Sequence, residues 1–186
     1  MMPTILPKKL NLKYDQKVID IIQFGSSILE GSNPNDIDIA VIYKDTSLKD
    51  QLLESQKIKI QLEKKFELPI HIKSFDLYSL FEKSNFAKHN IIFYGKSIIT
   101  QDYFMKTLGL TPKINILYSL KSLEKKDKIR FNYMLNGKKS QYGILRKYGG
   151  KIVSPGLIEI YPEHKELFVT EIKKITKDFE IKEILS

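Results

Sequence analysis

Two runs limit what this chain can become: VIDIIQF at 18–24 and DIDIAVIY at 36–43. Both are rich in β-branched residues, and VIDIIQF is nearly continuous in apolar character, as a strand covered on both faces would be. The segment between them, EGSNPN at 30–35, is polar and turn-rich, so the runs read as two separate strands. LPIHIKSF at 68–75 reads as a third, with Ile70, Ile72 and Ser74 on one face and His71 and Lys73 opposite. Between Ser47 and Phe66, Leu48, Leu52 and Leu53 favour a helix while KIKIQL alternates as a strand would; the segment is read as a helix. NIIFYGKSII at 90–99 is an apolar stretch broken at Gly95, read as a strand, a turn and a short return. The expectation is an α+β fold, a small mixed sheet of about four strands flanked by helices.

A chain of 186 residues holds one domain, or a small domain with a short second module. The character changes at Thr111-Pro112, which predicts units 1–110 and 111–186. Beyond the boundary Ile114, Leu117, Tyr118, Leu120 and Leu123 recur at helical spacing, continued by Ile129, Tyr133 and Met134 up to Gly137. A further helix is expected from about Ser140 to Tyr148, stopped by Gly149-Gly150. KIVS-PG-LIEIYP at 151–162 carries a hairpin signal at Pro155-Gly156. The tail from Pro162 to Leu185 reads as an amphipathic helix with Leu167, Phe168, Ile172, Ile175 and Phe179 inward. Helices, a basic helix and a hairpin, in that order, make a helical basic C-terminal module of winged-helix-like organisation.

No apolar run approaches the roughly 20 residues that cross a bilayer, and MMPTILPKKLNLKYD lacks the apolar core of a secretory signal. A cytoplasmic address without membrane contact is the expectation. With no cysteine, thiolate metal sites and thiol nucleophiles are excluded, and any metal must be held by oxygen or imidazole.

The chemistry concentrates in FGSSILEGSNPNDIDIAVIY, 24–43. Gly25 lets backbone approach a triphosphate, and Ser26 adds a hydroxyl beside amides that can point at phosphate oxygens. Asp36 and Asp38, two apart on extended chain, project to one side and can hold Mg²⁺ or Mn²⁺. Either piece alone is also what a plain Gly-Ser turn or a solubilised strand entrance looks like.

In this order and spacing the residues resemble the DNA polymerase β-like nucleotidyltransferase superfamily, specifically its minimal nucleotidyltransferase members. The likeness spans roughly residues 15–100 in element order and is detailed only over 24–43. It implies that Asp36 and Asp38 bind metal and the triphosphate of an NTP substrate while Gly25 and Ser26 position phosphates. It also implies a third carboxylate on a later strand, which completes the metal site and assists deprotonation of the acceptor hydroxyl. Here that position falls on His71, which can ligate a metal or accept a proton but brings no negative charge. The other reading of His71 is a half-exposed strand histidine without a ligand role. Glu67 and Asp76 are displaced substitutes, and Asp76 also reads as the N-cap of DLYSLFEK. His89 and His164 have no partner in the pattern.

The 31 basic and 22 acidic side chains leave +9, which favours a polyanionic partner. Arginine occurs only at 130 and 146. GKKSQYGILRKYGGK at 137–151 places Lys138, Lys139, Arg146, Lys147 and Lys151 among Tyr142 and Tyr148, with Lys128 nearby. It reads either as a DNA- or RNA-binding segment or as a solvated lysine-rich helix with core aromatics. Three functions follow. One is a Mg²⁺-dependent transfer of a nucleoside monophosphate from an NTP to a hydroxyl acceptor, for which the charge favours nucleic acid. The second is a weakly active or inactive relative used as a binding module, as in the minimal group's antitoxins that pair with helical ribonuclease toxins. The third is a plain DNA- or RNA-binding protein whose Asp-x-Asp is incidental.

Overall fold

The computed structural model describes residues 10–138 and 141–186. The chain divides into two compact units, one ending at Leu110 and the next beginning at Thr111. The architecture is α+β: a mixed sheet flanked by helices, then further helices with a second sheet.

In the first unit β1 (Val18–Phe24) runs into a 3-10 turn (Gly25–Ile28), followed by β2 (Ile37–Tyr43), α1 (Leu48–Glu63), β3 (Ile70–Asp76), α2 (Leu77–Phe81) and β4 (Lys96–Ser97). The sheet order is β3-β2-β1-β4, with β2 and β3 parallel and the other pairs antiparallel. The strands at 18–24 and 37–43 form where the apolar runs place them. α1 crosses from β2 to β3, as a parallel pair requires. Ser47 caps it by accepting the Asp50 N–H at 3.2 Å.

The helix turns an unexpected face inward. Gln51, Ser55, Ile58 and Leu62 are buried, whereas Leu48, Leu52 and Leu53 are exposed. Tyr43 at the end of β2 explains part of this, since its hydroxyl meets Ser55 Oγ at 2.8 Å and draws the polar side of α1 to the sheet. Residues 90–94 correct the expected strand: they form a π-helical turn, and only Lys96–Ser97 pair with β1. The Gly95 N–H donates to the Ile91 carbonyl, so the turn closes on itself rather than pairing outward.

β2 is covered on both sides. Ile37, Ile39, Val41 and Tyr43 join Val18, Ile21, Ile58, Leu62 and Ile70 in one cluster. Ala40 and Ile42 join Ile22, Phe24, Leu80, Ile91, Phe104 and Met105 in the other. Each fully buried isoleucine contributes about 1.5–3 kcal/mol relative to exposure, so the central pair carries much of this unit's stability.

The second unit contains β5 (Pro112–Tyr118), α3 (Lys125–Asn136), β6 (Gly137–Lys138), β7 (Gln141–Tyr142), α4 (Ile144–Lys147), β8 (Lys151–Ser154), β9 (Leu157–Ile160), α5 (Lys165–Lys173) and β10 (Phe179–Leu185). Its main sheet is antiparallel in the order β10-β5-β9-β8. The hairpin at Pro155-Gly156 is present as β8 and β9.

Three helical expectations are corrected. Residues 112–118 are a strand, because Ile114 and Ile116 alternate into the core opposite Ile160 and Ile158. The tail is helical only to Lys173; from Phe179 it pairs residue for residue with β5. The helix expected over about 140–148 is a single turn at 144–147, preceded by the short β6–β7 ribbon. Lys139 and Ser140 lie outside the described residues. Phe168 and Ile172 are buried as expected, and Leu167, Ile175 and Phe179 are half-buried.

One buried polar contact ties β4 to β1. Asp20, 3% exposed, accepts from Ser97 Oγ at 2.6 Å and from the Ile21 N–H at 2.7 Å. Ser97 Oγ in turn accepts the N–H groups of Ile99 and Thr100 at 3.2 and 3.0 Å. Burial raises the Asp20 pKa, opposed by the Ser97 hydroxyl and the Ile21 amide. Ser97→Ala strips Asp20 of its hydroxyl donor, and is expected to cost roughly 1–3 kcal/mol. Urea unfolding should show a lower midpoint with an unchanged slope; an unchanged midpoint would refute the role given to this contact.

Candidate metal and nucleotide site

The alternation that buries Ala40 and Ile42 on one face of β2 continues backward to Asp38 and then Asp36, where the strand leaves the core. Register brings the neighbours in. Asp38 lies opposite Phe24 on antiparallel β1 and beside His71 on parallel β3. His71 Nδ1 stands 3.1 Å from Asp36 Oδ2. One ligand atom from each of Asp36, Asp38 and His71 lies within 4.8 Å of the other two, the one such group among the described residues. The expected aspartates and the histidine are thus brought together. His71 is at once an exposed strand histidine, its side chain 60% exposed, and a member of this cluster.

Gly25 closes the other side. It follows Phe24 with φ +77, the left-handed region that favours glycine, and an added Cβ would fall 2.6 Å from Asp38 Oδ2. The glycine therefore serves the turn and leaves room for the carboxylate. Ser26 is exposed, and its carbonyl accepts the Ser32 hydroxyl at 2.5 Å, tying the loop back on itself. Ser27 is buried: its hydroxyl accepts from Gln23 Nε2 at 2.9 Å and donates to the Phe24 carbonyl at 3.3 Å. The turn is thereby anchored to β1 by residues that a motif-based reading passes over.

Lys73 also belongs here. It shares the outward face of β3 with His71, and its ammonium lies 5.9 Å from the centre of the Phe24 ring. Partial burial and then the Asp36 charge raise the Asp38 pKa, while Lys73 and His71 pull it back. The alternation of LPIHIKSF puts Lys73 on the same face as His71, but only the β2–β3 register shows that this face meets the carboxylates.

The substitutes for a third carboxylate are elsewhere. Asp76 caps α2 by accepting the Ser79 N–H at 2.7 Å, with Ser79 Oγ accepting the Asp76 N–H at 3.0 Å in return. Five residues along β3 from His71, it faces the opposite side about 16 Å away. Glu67 is exposed ahead of β3 and outside the cluster. His89 stacks on Phe93, and His164 lies against Tyr148. A cavity of about 880 Å³ lined by Tyr43, Asp76, Leu77, Tyr78 and Phe81 opens at the far end of β2 and β3. Its Asp76 is committed to the cap.

Two carboxylates and an imidazole, with space kept by a glycine, fit a divalent cation; the oxygens suit Mg²⁺, and the added nitrogen raises affinity for transition ions such as Mn²⁺. A small mixed sheet flanked by helices and carrying this cluster is consistent with a generic nucleotidyltransferase-like catalytic core. Comparison of the chain with protein-family models, with curated proteins and with solved structures finds no match.

Because the folded state holds a proton on Asp38 more readily than the unfolded chain, stability falls as pH rises from 3.8 through the raised value. The deficit persists at neutral pH. Asp38→Asn is therefore expected to raise the melting temperature at pH 7 without metal, by on the order of 2 °C. Added Mn²⁺ should stabilise the wild type and not the variant. Gly25→Ala should lose about 1–2 kcal/mol to left-handed strain and displace the Asp38 carboxylate. Calorimetry should then show Mn²⁺ binding at least about tenfold weaker; unchanged affinity would remove Gly25 from the site.

Proposed function

We propose that the first unit is a nucleotide-binding module of the nucleotidyltransferase type. It takes an NTP together with one divalent cation at Asp36 and Asp38, and its transfer activity is weak or absent. The observation that carries this reading is the Asp36–Asp38–His71 cluster, with imidazole where a third carboxylate is expected.

The argument is one of charge. Two carboxylates balance a single divalent cation, and neutral imidazole adds a donor without adding charge. Asp36 and Asp38 would hold the ion, with His71 as third donor, and Gly25 and Ser26 would lie along the phosphates. A bound cation would supply charge neutralisation for phosphate oxygens. A second cation, of the kind that clamps attacking and leaving oxygens in displacement chemistry, would find no further anionic side chain within the cluster. With Nδ1 facing Asp36, the other ring nitrogen of His71 would serve either as the third donor to the ion or as acceptor of a hydroxyl proton, and one nitrogen does not do both.

A second use of the unit, binding another protein, is favoured by its exposed apolar side chains. Leu48 and Leu52 of α1 and Leu77, Tyr78 and Phe81 of α2 are all at least 43% exposed.

Calorimetric titration with each NTP in Mg²⁺ and in Mn²⁺ tests the proposal. Metal-dependent binding is expected in the wild type, with a loss of more than about 100-fold in Asp36→Asn/Asp38→Asn. Label transfer from NTP should be near background in the wild type and increase in His71→Asp, which restores the third negative charge. Absence of metal-dependent nucleotide binding would overturn the binding reading. Robust wild-type transfer abolished by Asp36→Asn would replace it with an active transferase.

A further inference from the structure

The net charge of +9 is unevenly placed. Residues 111–186 contain sixteen basic and nine acidic side chains, against fifteen and thirteen in residues 1–110. From Lys128 to Ile158 there are seven basic side chains, both arginines among them, and no acidic one. Such a stretch repels cations and attracts polyanions whatever its fold.

The fold gathers part of it. The Gly137 N–H at the end of α3 donates to the Tyr133 carbonyl, Gly137 pairs with Tyr142 and Lys138 with Gln141, and α4 starts directly after Gly143. Gly143 is packed so closely on the Leu135 carbonyl and the Gly137 nitrogen that no side chain fits there. Four side chains that are not neighbours in sequence are thereby held on locally fixed backbone: Tyr133, Lys138, Tyr142 and Arg146.

Their geometry is specific. The Arg146 guanidinium sits 4.1 Å from the centre of the Tyr142 ring, and Lys138 Nζ lies 5.2 Å from that of Tyr133. Tyr142 is 66% exposed and Tyr133 43%. These rings are not core, unlike Tyr148, which packs 5.1 Å from His164 and 6.4 Å from Phe168. An exposed tyrosine capped by a cation has an orientation fixed in advance, and the guanidinium keeps its edge for phosphate. Lys151 drops out of the set, because it pairs with Glu159 at 3.0 Å.

We propose that the surface formed by α3, the β6–β7 ribbon and α4 binds single-stranded nucleic acid, with Tyr133 and Tyr142 stacking on bases and Lys138, Arg146 and Lys147 holding phosphates. Unpaired bases offer faces to stack on, which a duplex keeps to itself. α4 is one turn, about 6 Å long, and does not serve as a helix filling a major groove about 12 Å wide. The site is independent of Asp36 and Asp38.

Fluorescence anisotropy of the full chain tests this, with labelled oligo-U and oligo-dT of about 20 nucleotides and a duplex of equal length. EDTA replaces divalent cations, so the nucleotide site does not contribute. Both single strands are expected to bind at least about tenfold tighter than the duplex, and affinity should fall steeply from about 50 to about 200 mM salt. A preference for oligo-U would add contacts to the 2′-hydroxyl and keeps the proposal. Tyr142→Ala should weaken binding about tenfold while Tyr142→Phe retains it, and Arg146→Ala should reduce the salt slope by about one unit. Tyr133→Ala, read beside circular dichroism, carries the test if Tyr142→Ala fails to fold. Duplex bound as tightly as single strand, no binding to either strand, or binding indifferent to both tyrosines would each overturn the proposal.

Discussion

In the first unit the cluster is placed by β2, a strand with a neighbour on each edge and apolar cover on each face. Its backbone groups have no access to water and must pair with β1 and β3, so its register is not free. A slip of one residue would exchange Asp38 for a neighbouring isoleucine on the face that meets Gly25 and His71, and turn a carboxylate toward the opposite cluster. The precision of the Asp36–Asp38–His71 cluster is therefore a consequence of core packing. The carboxylates sit where β2 emerges from that packing, the place on the strand where charge is tolerated.

The same reasoning shows why the first unit was largely legible in sequence. β-branched runs buried on both faces have no helical alternative of equal quality, and the Asp-x-Asp spacing carries its own geometry. His71 could be placed because the resemblance implies a third site residue on a later strand, and LPIHIKSF is the strand that follows the helix. Lys73 and the second role of Gly25 could not be singled out, since each depends on what lies across the sheet, and Ser27 escapes because its partners, Gln23 and Phe24, are fixed only by the turn's conformation. In the second unit PKINILY satisfies a helical spacing through Ile114, Leu117 and Tyr118 and a strand spacing through Ile114 and Ile116. The partners that decide between them, β9 and β10, lie outside any local window. The tail was misread for the same reason from Phe179 onward.

Asp38 is held under conditions that disfavour its charge, through burial and then the proximity of Asp36. Lys73 and His71 soften this without removing it. A residue placed only to end a strand or to solubilise its entrance would sit in water, as Asp45 and Asp50 do. Asp38, charged beside Asp36 with a left-handed glycine leaving it room, costs folding energy that a bound cation would offset. That imbalance is the physical content of calling the cluster a site.

If the first unit takes a metal-bound nucleotide, as proposed, the identity of the third side chain separates holding it from reacting with it. With two carboxylates and a neutral imidazole, one divalent cation brings the cluster to neutrality. A second cation would find its negative charge on the nucleotide's own phosphates alone, with no further carboxylate of the cluster to fix its position. A third carboxylate would relax that constraint, and an imidazole turned toward Asp36 does not. His71 also brings a nitrogen donor, which shifts preference from Mg²⁺ toward ions that accept nitrogen. On the proposed reading both effects run in one direction: the cluster keeps donors for one cation, while the position that β3 sets beside Asp38 carries an imidazole in place of a negative charge.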